Sequence, residues 1–206
     1  MKRLILVGAD IEIIEQVERA GRYSIAGIVD NILTGTYHGY PVLGDDAFLV
    51  EHKARYAGSL LSITLDDVLV REKLYRMYTG HGFRLAQLIS KAGTISPLAQ
   101  PGEGIIIQNG VNIGPGCRFG ACAKLNVNAN VMHDGHFGDF CTFAPDVVTL
   151  GYVETGSHVF FGANATVLPR IRIGDHVIIG AGSVVTKDLE GGAVYAGNPA
   201  KKLKEL

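Results

Sequence analysis

His133 and Asp134 stand side by side in the run Asn126-Val127-Asn128-Ala129-Asn130-Val131-Met132-His133-Asp134-Gly135-His136. An imidazole beside a carboxylate is held in one tautomer and keeps its far ring nitrogen free to take a proton. Eighteen residues further on lies Gly151, whose backbone N–H, with no side chain around it, is free to stabilise the oxygen of a polarised carbonyl. A base and an N–H donor directed at one atom suit acyl transfer. That chemistry requires positions 133 and 151 to be neighbours.

A repeat makes them neighbours. Every sixth residue from Ile95 to Val185 gives sixteen positions, of which thirteen are large and apolar, and glycine follows at Gly102, Gly114, Gly120, Gly138, Gly156, Gly162, Gly174 and Gly180. A unit of one short strand and one tight turn cannot bury its own apolar residue, so it stacks on its neighbours. Three units close a triangular coil, which predicts a left-handed parallel β-helix. Residues eighteen apart then lie about 4.8 Å above one another. The recurring glycine is expected to supply the backbone conformation that turns each corner. His133 projects outward from a corner with Gly151 on the next coil. Cys117 and Cys141 fall on small inward positions. His136, between Arg118 and Glu154, reads as part of a charged surface ladder. His158 and His176 are one coil apart as surface histidines without a third ligand, so no metal is expected.

Residues 1–80 follow a different pattern. Strand-like runs Leu4–Val7, Ile25–Val29 and Leu60–Ile63 alternate with helix-like runs Ile11–Ala20 and Leu65–Met77, the rhythm of a small Rossmann-like α/β domain. The pattern stops around Tyr78-Thr79-Gly80-His81-Gly82, which divides the chain into 1–80 and 83–206. Gly8 and Asp30 end the first two strands, where such domains place a phosphate-side turn and a ribose-side carboxylate. Asn31 adjoins Asp30 as a further substrate contact. Ala9-Asp10-Ile11-Glu12 replaces the spaced glycines of a dinucleotide fingerprint.

Of 206 residues, 47% are hydrophobic, and 19 basic residues nearly balance 20 acidic ones. That balance points away from nucleic acid and from a polybasic membrane surface, and towards small molecules or copies of the chain itself. No apolar run is long enough to span a bilayer. Three cysteines without metal-ligand spacing fit a reducing cytoplasm.

The chain resembles the NeuD/PglD-type sugar acyltransferases over nearly its whole length. The resemblance rests on Tyr40-Pro41-Val42-Leu43-Gly44, Asn126, His133-Asp134, the run Val167 to Gly174, the run Ala181 to Asp188, and Ala196-Gly197-Asn198-Pro199-Ala200-Lys201. It implies a homotrimer with active sites between β-helices, acetyl-CoA along the solenoid, and a nucleotide-linked amino-deoxysugar bridging to the first domain. The implied activity is N-acetylation, with His133 as base, Asp134 orienting it and the Gly151 N–H on the carbonyl oxygen. Asn126 would position the sugar. Gly162, Ala163, Gly180 and Ala181 would hold the pantetheine arm, and Asn198, Pro199 and Lys201 the nucleotide end of the cofactor. Thr142 stands near the acyl group where many relatives carry a histidine. The first loop also departs from the family, which carries a glycine-glycine-histidine run followed by a lysine. The alternatives are a sialic-acid-type sugar O-acetyltransferase, a γ-carbonic-anhydrase-like zinc enzyme, for which no converging histidine set is apparent, and a non-catalytic scaffold.

Overall fold

The computed structural model describes residues 1–206. Its first unit is built from β1 (Lys2–Val7), α1 (Ile11–Ala20), β2 (Tyr23–Val29), β3 (Thr36–Tyr37), β4 (Tyr40–Gly44), α2 (Asp46–Glu51), β5 (Leu60–Ile63), α3 (Val68–Gly80) and β6 (Arg84–Leu85). The strands form one sheet in the order β3-β4-β2-β1-β5-β6, parallel except for the β3/β4 hairpin. β1 is central and buried on both faces, as its unbroken apolar run requires. Leu4 and Leu6 pack against Ile13, Ile14 and Val17 of α1, while Ile5 and Val7 join Leu74 and Tyr78 of α3.

Capping sets the helix boundaries. The Asp10 carboxylate accepts from Glu12 N and Ile13 N, so α1 starts at Ile11, and Gly21, at φ 61°, stops it. α3 starts at Val68 rather than Leu65, because Asp67 caps Leu69 N and Val70 N. β6 completes the first sheet, and the coil opens a few residues later at Leu88–Ile89.

From there the chain winds as a three-sided parallel β-helix with two-residue strands. The register advances by eighteen: Asn112 pairs with Asn130, Asn130 with Val148, Val148 with Thr166 and Thr166 with Val184. The first face has eight strands from Leu88–Ile89 to the antiparallel Lys201–Glu205, the second six from Thr94–Ile95 to Val184–Val185, and the third four from Arg118–Phe119 to Arg172–Ile173. The inward residues, Cys117 and Cys141 among them, make one 28-residue core. Within it Phe143 stacks on Phe161 with ring centroids 4.6 Å apart.

The recurring glycines do a different job from the one their spacing suggests. The left-handed backbone falls three residues after each inward apolar position, at Cys122, Asn128, Asp134, Phe140, Asp146, Tyr152, His158, Asn164, Arg170 and His176, each with φ between 52° and 64°, and at Gly104, Gly110, Gly116 and Gly182. The recurring glycines are needed because successive coils touch there. A Cβ on Gly138 would lie 2.5 Å from Gly156 backbone atoms, and one on Gly162 would lie 2.5 Å from Ala181 N.

Two buried cations join the units. Arg71, 1% exposed, donates from Nε to Cys122 O (2.9 Å), from Nη1 to Leu65 O (2.9 Å) and Asp66 O (3.1 Å), and from Nη2 to Phe140 O (2.9 Å) and Thr142 Oγ1 (2.7 Å). Lys124, 3% exposed, reaches back from the coil to Thr64 O (2.8 Å), Asp66 (2.7 Å) and Asp10 (3.7 Å). Replacing Arg71 with Met leaves these carbonyls without donors and is expected to lower unfolding free energy by about 3–5 kcal/mol. Urea denaturation read by circular dichroism measures the loss; a change below about 1 kcal/mol would mean that the guanidinium does not hold the units together.

Candidate functional site

The corner between the second and third faces carries Met132-His133-Asp134, with Leu150-Gly151-Tyr152 one coil below it and Leu168-Pro169-Arg170 below that. The inward pull of Val131 and Phe137, both in the core, fixes this corner and turns His133 outward. His133 Nδ1–H donates to Asp134 Oδ2 at 2.9 Å. That bond assigns the proton to Nδ1 and leaves Nε2 as the accepting nitrogen. Both side chains are about half exposed, 45% and 47%. The ring lies directly against Gly151, where a Cβ would stand 2.6 Å from Cε1 and 2.7 Å from Nε2. The Gly151 N–H has no acceptor within the chain, whereas Tyr152 N donates to His133 O at 3.1 Å. The base thus rests on a glycine whose N–H is unengaged.

Asn126, Gly162, Ala163, Gly180 and Ala181 lie at another corner, between the first and second faces. Asn126 Nδ2 donates to Phe143 O at 3.0 Å. Asn198 and Pro199 follow the strand Ala193–Ala196 at that same corner, and Lys201 opens the next strand, paired with Ala196. A full side of the prism, roughly 15 Å at about 3.3 Å per residue, separates this corner from His133. Thus one chain groups His133, Asp134 and Gly151, and separately groups the expected cofactor positions.

Thr142 belongs to neither group. It is fully buried under α3, and its hydroxyl accepts from Arg71 Nη2. Its outward position on the first face is covered by the first unit. His158 is also more enclosed than a surface histidine, 9% exposed, between Phe140 and His176 with Nε2 bonded to Glu72 at 2.8 Å. His136 stands in register with Arg118 and Glu154, as a surface ladder.

Gly8, Asp30 and Asn31 share a cavity of about 170 Å³ at the carboxyl edge of the first sheet, with Asp46, Leu65 and Leu74. Burial pushes the Asp30 carboxyl up, but the N–H groups of Leu33, Ile32 and Ala9 together hold it below the ordinary carboxylate value. The start of α1 is filled by the Asp10 carboxylate, and the nearby Lys124 is already paired. That corner therefore has no free positive end for a phosphate.

A larger cavity, about 800 Å³, runs between the start of α3 and the first face, past Val68, Leu69, Phe160 and Ile178. It lies across the coil from His133, but Phe160 and Ile178 are each two residues before Gly162 and Gly180. The periodicity did not reveal Arg71, Lys124 or Tyr152. Arg71 shares the buried stripe of α3 with Leu74 and Tyr78, and an arginine in an apolar stripe was the available signal.

A model of the family "Bacterial transferase hexapeptide (six repeats)" matches residues 152–187. GDP-perosamine N-acetyltransferase of Escherichia coli O157:H7 is 29% identical over 140 residues, covering 68% of this chain and 62% of that protein. The chain therefore spans less than two thirds of that relative. PerB from Caulobacter crescentus, solved in complex with CoA and GDP-perosamine, superimposes with a TM-score of 0.93 at 32% identity, covering 99% of this chain and 98% of its own. The acetyltransferase domain of PglB from Neisseria gonorrhoeae FA1090 gives 0.92 at 26% identity, with 98% and 100% covered.

Gly151 does not have a left-handed backbone, so Gly151→Ala is expected to fold normally while its methyl group displaces the imidazole. Imidazole ¹H–¹⁵N spectra should then lose the Nδ1–H signal bonded to Asp134. An unaltered signal would show that His133 does not rest on this glycine.

Proposed function

The chain belongs to the hexapeptide-repeat sugar N-acyltransferases, and we propose that it carries the acetyl group of acetyl-CoA to the amino group of a nucleotide-linked amino-deoxysugar. Its coil is the left-handed β-helix of that family. The observation that carries the proposal is the His133 ring resting on Gly151, whose N–H is unengaged, with Asp134 bonded to Nδ1 behind the ring.

The sugar amine attacks the thioester carbonyl carbon, and Nε2 of His133 takes a proton from the attacking nitrogen. Asp134 stabilises the imidazolium through Nδ1–H. The carbonyl oxygen, negative in the tetrahedral intermediate, accepts from Gly151 N–H. As the intermediate collapses the C–S bond breaks, and the imidazolium returns its proton to the leaving sulfur. Transfer is direct, because the chain's thiols make poor nucleophiles. All three are buried, and burial raises the Cys122 thiol to about 12 and Cys141 to about 11.

The base and the expected cofactor positions lie at different corners of one prism, which favours a homotrimer in which the His133 corner of one copy faces the Gly162–Gly180 corner of the next. Asn126 would lie beside the sugar. Gly162, Ala163, Gly180 and Ala181 would line the pantetheine, with Asn198, Pro199 and Lys201 towards its nucleotide. The Rossmann-like first unit would take the nucleoside of the sugar substrate in the cavity of Gly8, Asp30 and Asn31. With the α1 terminus filled by Asp10, the diphosphate would lie outside that corner.

Thiol release from acetyl-CoA should occur with nucleotide-linked 4-amino or 3-amino deoxysugars, and His133→Ala should lower kcat about 10²-fold or more while retaining CoA binding. Turnover with sialic acid alone would replace this function with O-acetylation, and no turnover with any acceptor would refute both.

A further inference from the structure

We infer that Tyr152 is a positioning residue for His133, and that Arg170 holds Tyr152 in place. The inference rests on His133 being the general base. An imidazole on an exposed corner can rotate, and one hydrogen bond at Nδ1 permits rocking about that bond. Gly151 supports one side of the ring. A second wall comes from Tyr152, whose ring stands edge-on to the imidazole at 5.2 Å and 89°. The Arg170 guanidinium, one coil further on, lies 4.6 Å from the centre of the Tyr152 ring. The eighteen-residue register places Asp134, Tyr152 and Arg170 in one column, so these contacts follow from the coil.

The residue type at 152 has a cost. Its φ is 61°, a conformation that suits Asn or Asp and is unfavourable for a bulky side chain. The equivalent positions on the corner between the first and second faces are Asn128, Asp146 and Asn164. Phe140 and His158, on the remaining corner, gain burial against the first unit. Tyr152 is 44% exposed and has His133 and Arg170 as its ring partners. Holding the imidazole offsets the backbone cost.

The test compares wild type, Tyr152→Ala, Tyr152→Phe and Arg170→Ala. Tyr152→Ala should lower kcat about 3- to 10-fold, the scale of one aromatic contact, with KM for acetyl-CoA and amino sugar unchanged. Tyr152→Phe should retain wild-type turnover, and Arg170→Ala should fall between. Imidazole ¹⁵N spectra, which need no turnover, should show the His133 Nδ1–H sharp in wild type and Tyr152→Phe but exchange-broadened in Tyr152→Ala. Unchanged kcat and spectra in Tyr152→Ala, or a rise in KM alone, would overturn the inference. Wild type inactive on every acceptor would instead refute the function assigned to His133, and the spectra would still decide whether Tyr152 holds the ring.

Discussion

In this coil a residue and its counterpart eighteen positions later have no choice but to lie one above the other, because each two-residue strand pairs only with the strand one turn away. Three consequences follow. Side chains form columns, so His133 lies against Gly151 and Asp134 stands above Tyr152 and Arg170. At Gly138 and Gly162 successive coils come so close that a single methyl group would meet the backbone of the next turn. Residues at different corners of one chain stay a prism side apart, however close they are in sequence.

The attachment of the first unit follows from a second constraint. A charge taken out of water must be fully bonded, and Arg71 meets that condition with donors to five oxygens of α3's approach and of two successive coils. Burial pushes its pKa down, and carboxylates at Asp66 and Asp67 oppose that shift. Lys124 makes the reciprocal link to Thr64, Asp66 and Asp10. The same pairing engages the Lys124 ammonium at the carboxyl edge of the sheet, while the Asp10 carboxylate caps α1. Attachment of the unit and the capping of α1 thus share Asp10.

Much of this was readable from spacing. The six-residue period gave the coil, the column of His133 with Gly151 and the inward Cys117 and Cys141. Asp10 and Gly21 bracket α1 as their types require. The failures have specific causes. Periodicity marks Gly138 and Gly162 as special but cannot tell a turn conformation from a steric need. Spacing does not show the burial of Thr142, because an outward position on a coil is exposed unless another unit covers it, and covering depends on how α3 docks. His158 is enclosed rather than at the surface for the same reason. Arg71 was overlooked because helical stripes are read for apolar residues, whereas a guanidinium is buried only when distant carbonyls converge on it.

With the His133 corner and the Gly162–Gly180 corner a prism side apart on one chain, the proposed function requires a division of labour between copies. Co-expression of His133→Ala with Ala181→Trp, which adds bulk at the exposed corner of Gly162 and Gly180, tests it directly. Each variant alone should be nearly inactive. In the proposed trimer, random mixing should restore about a quarter of wild-type turnover, because a His133-bearing corner then faces an open corner on that share of interfaces. If the mixture is no more active than either parent, base and cofactor are held by the same chain.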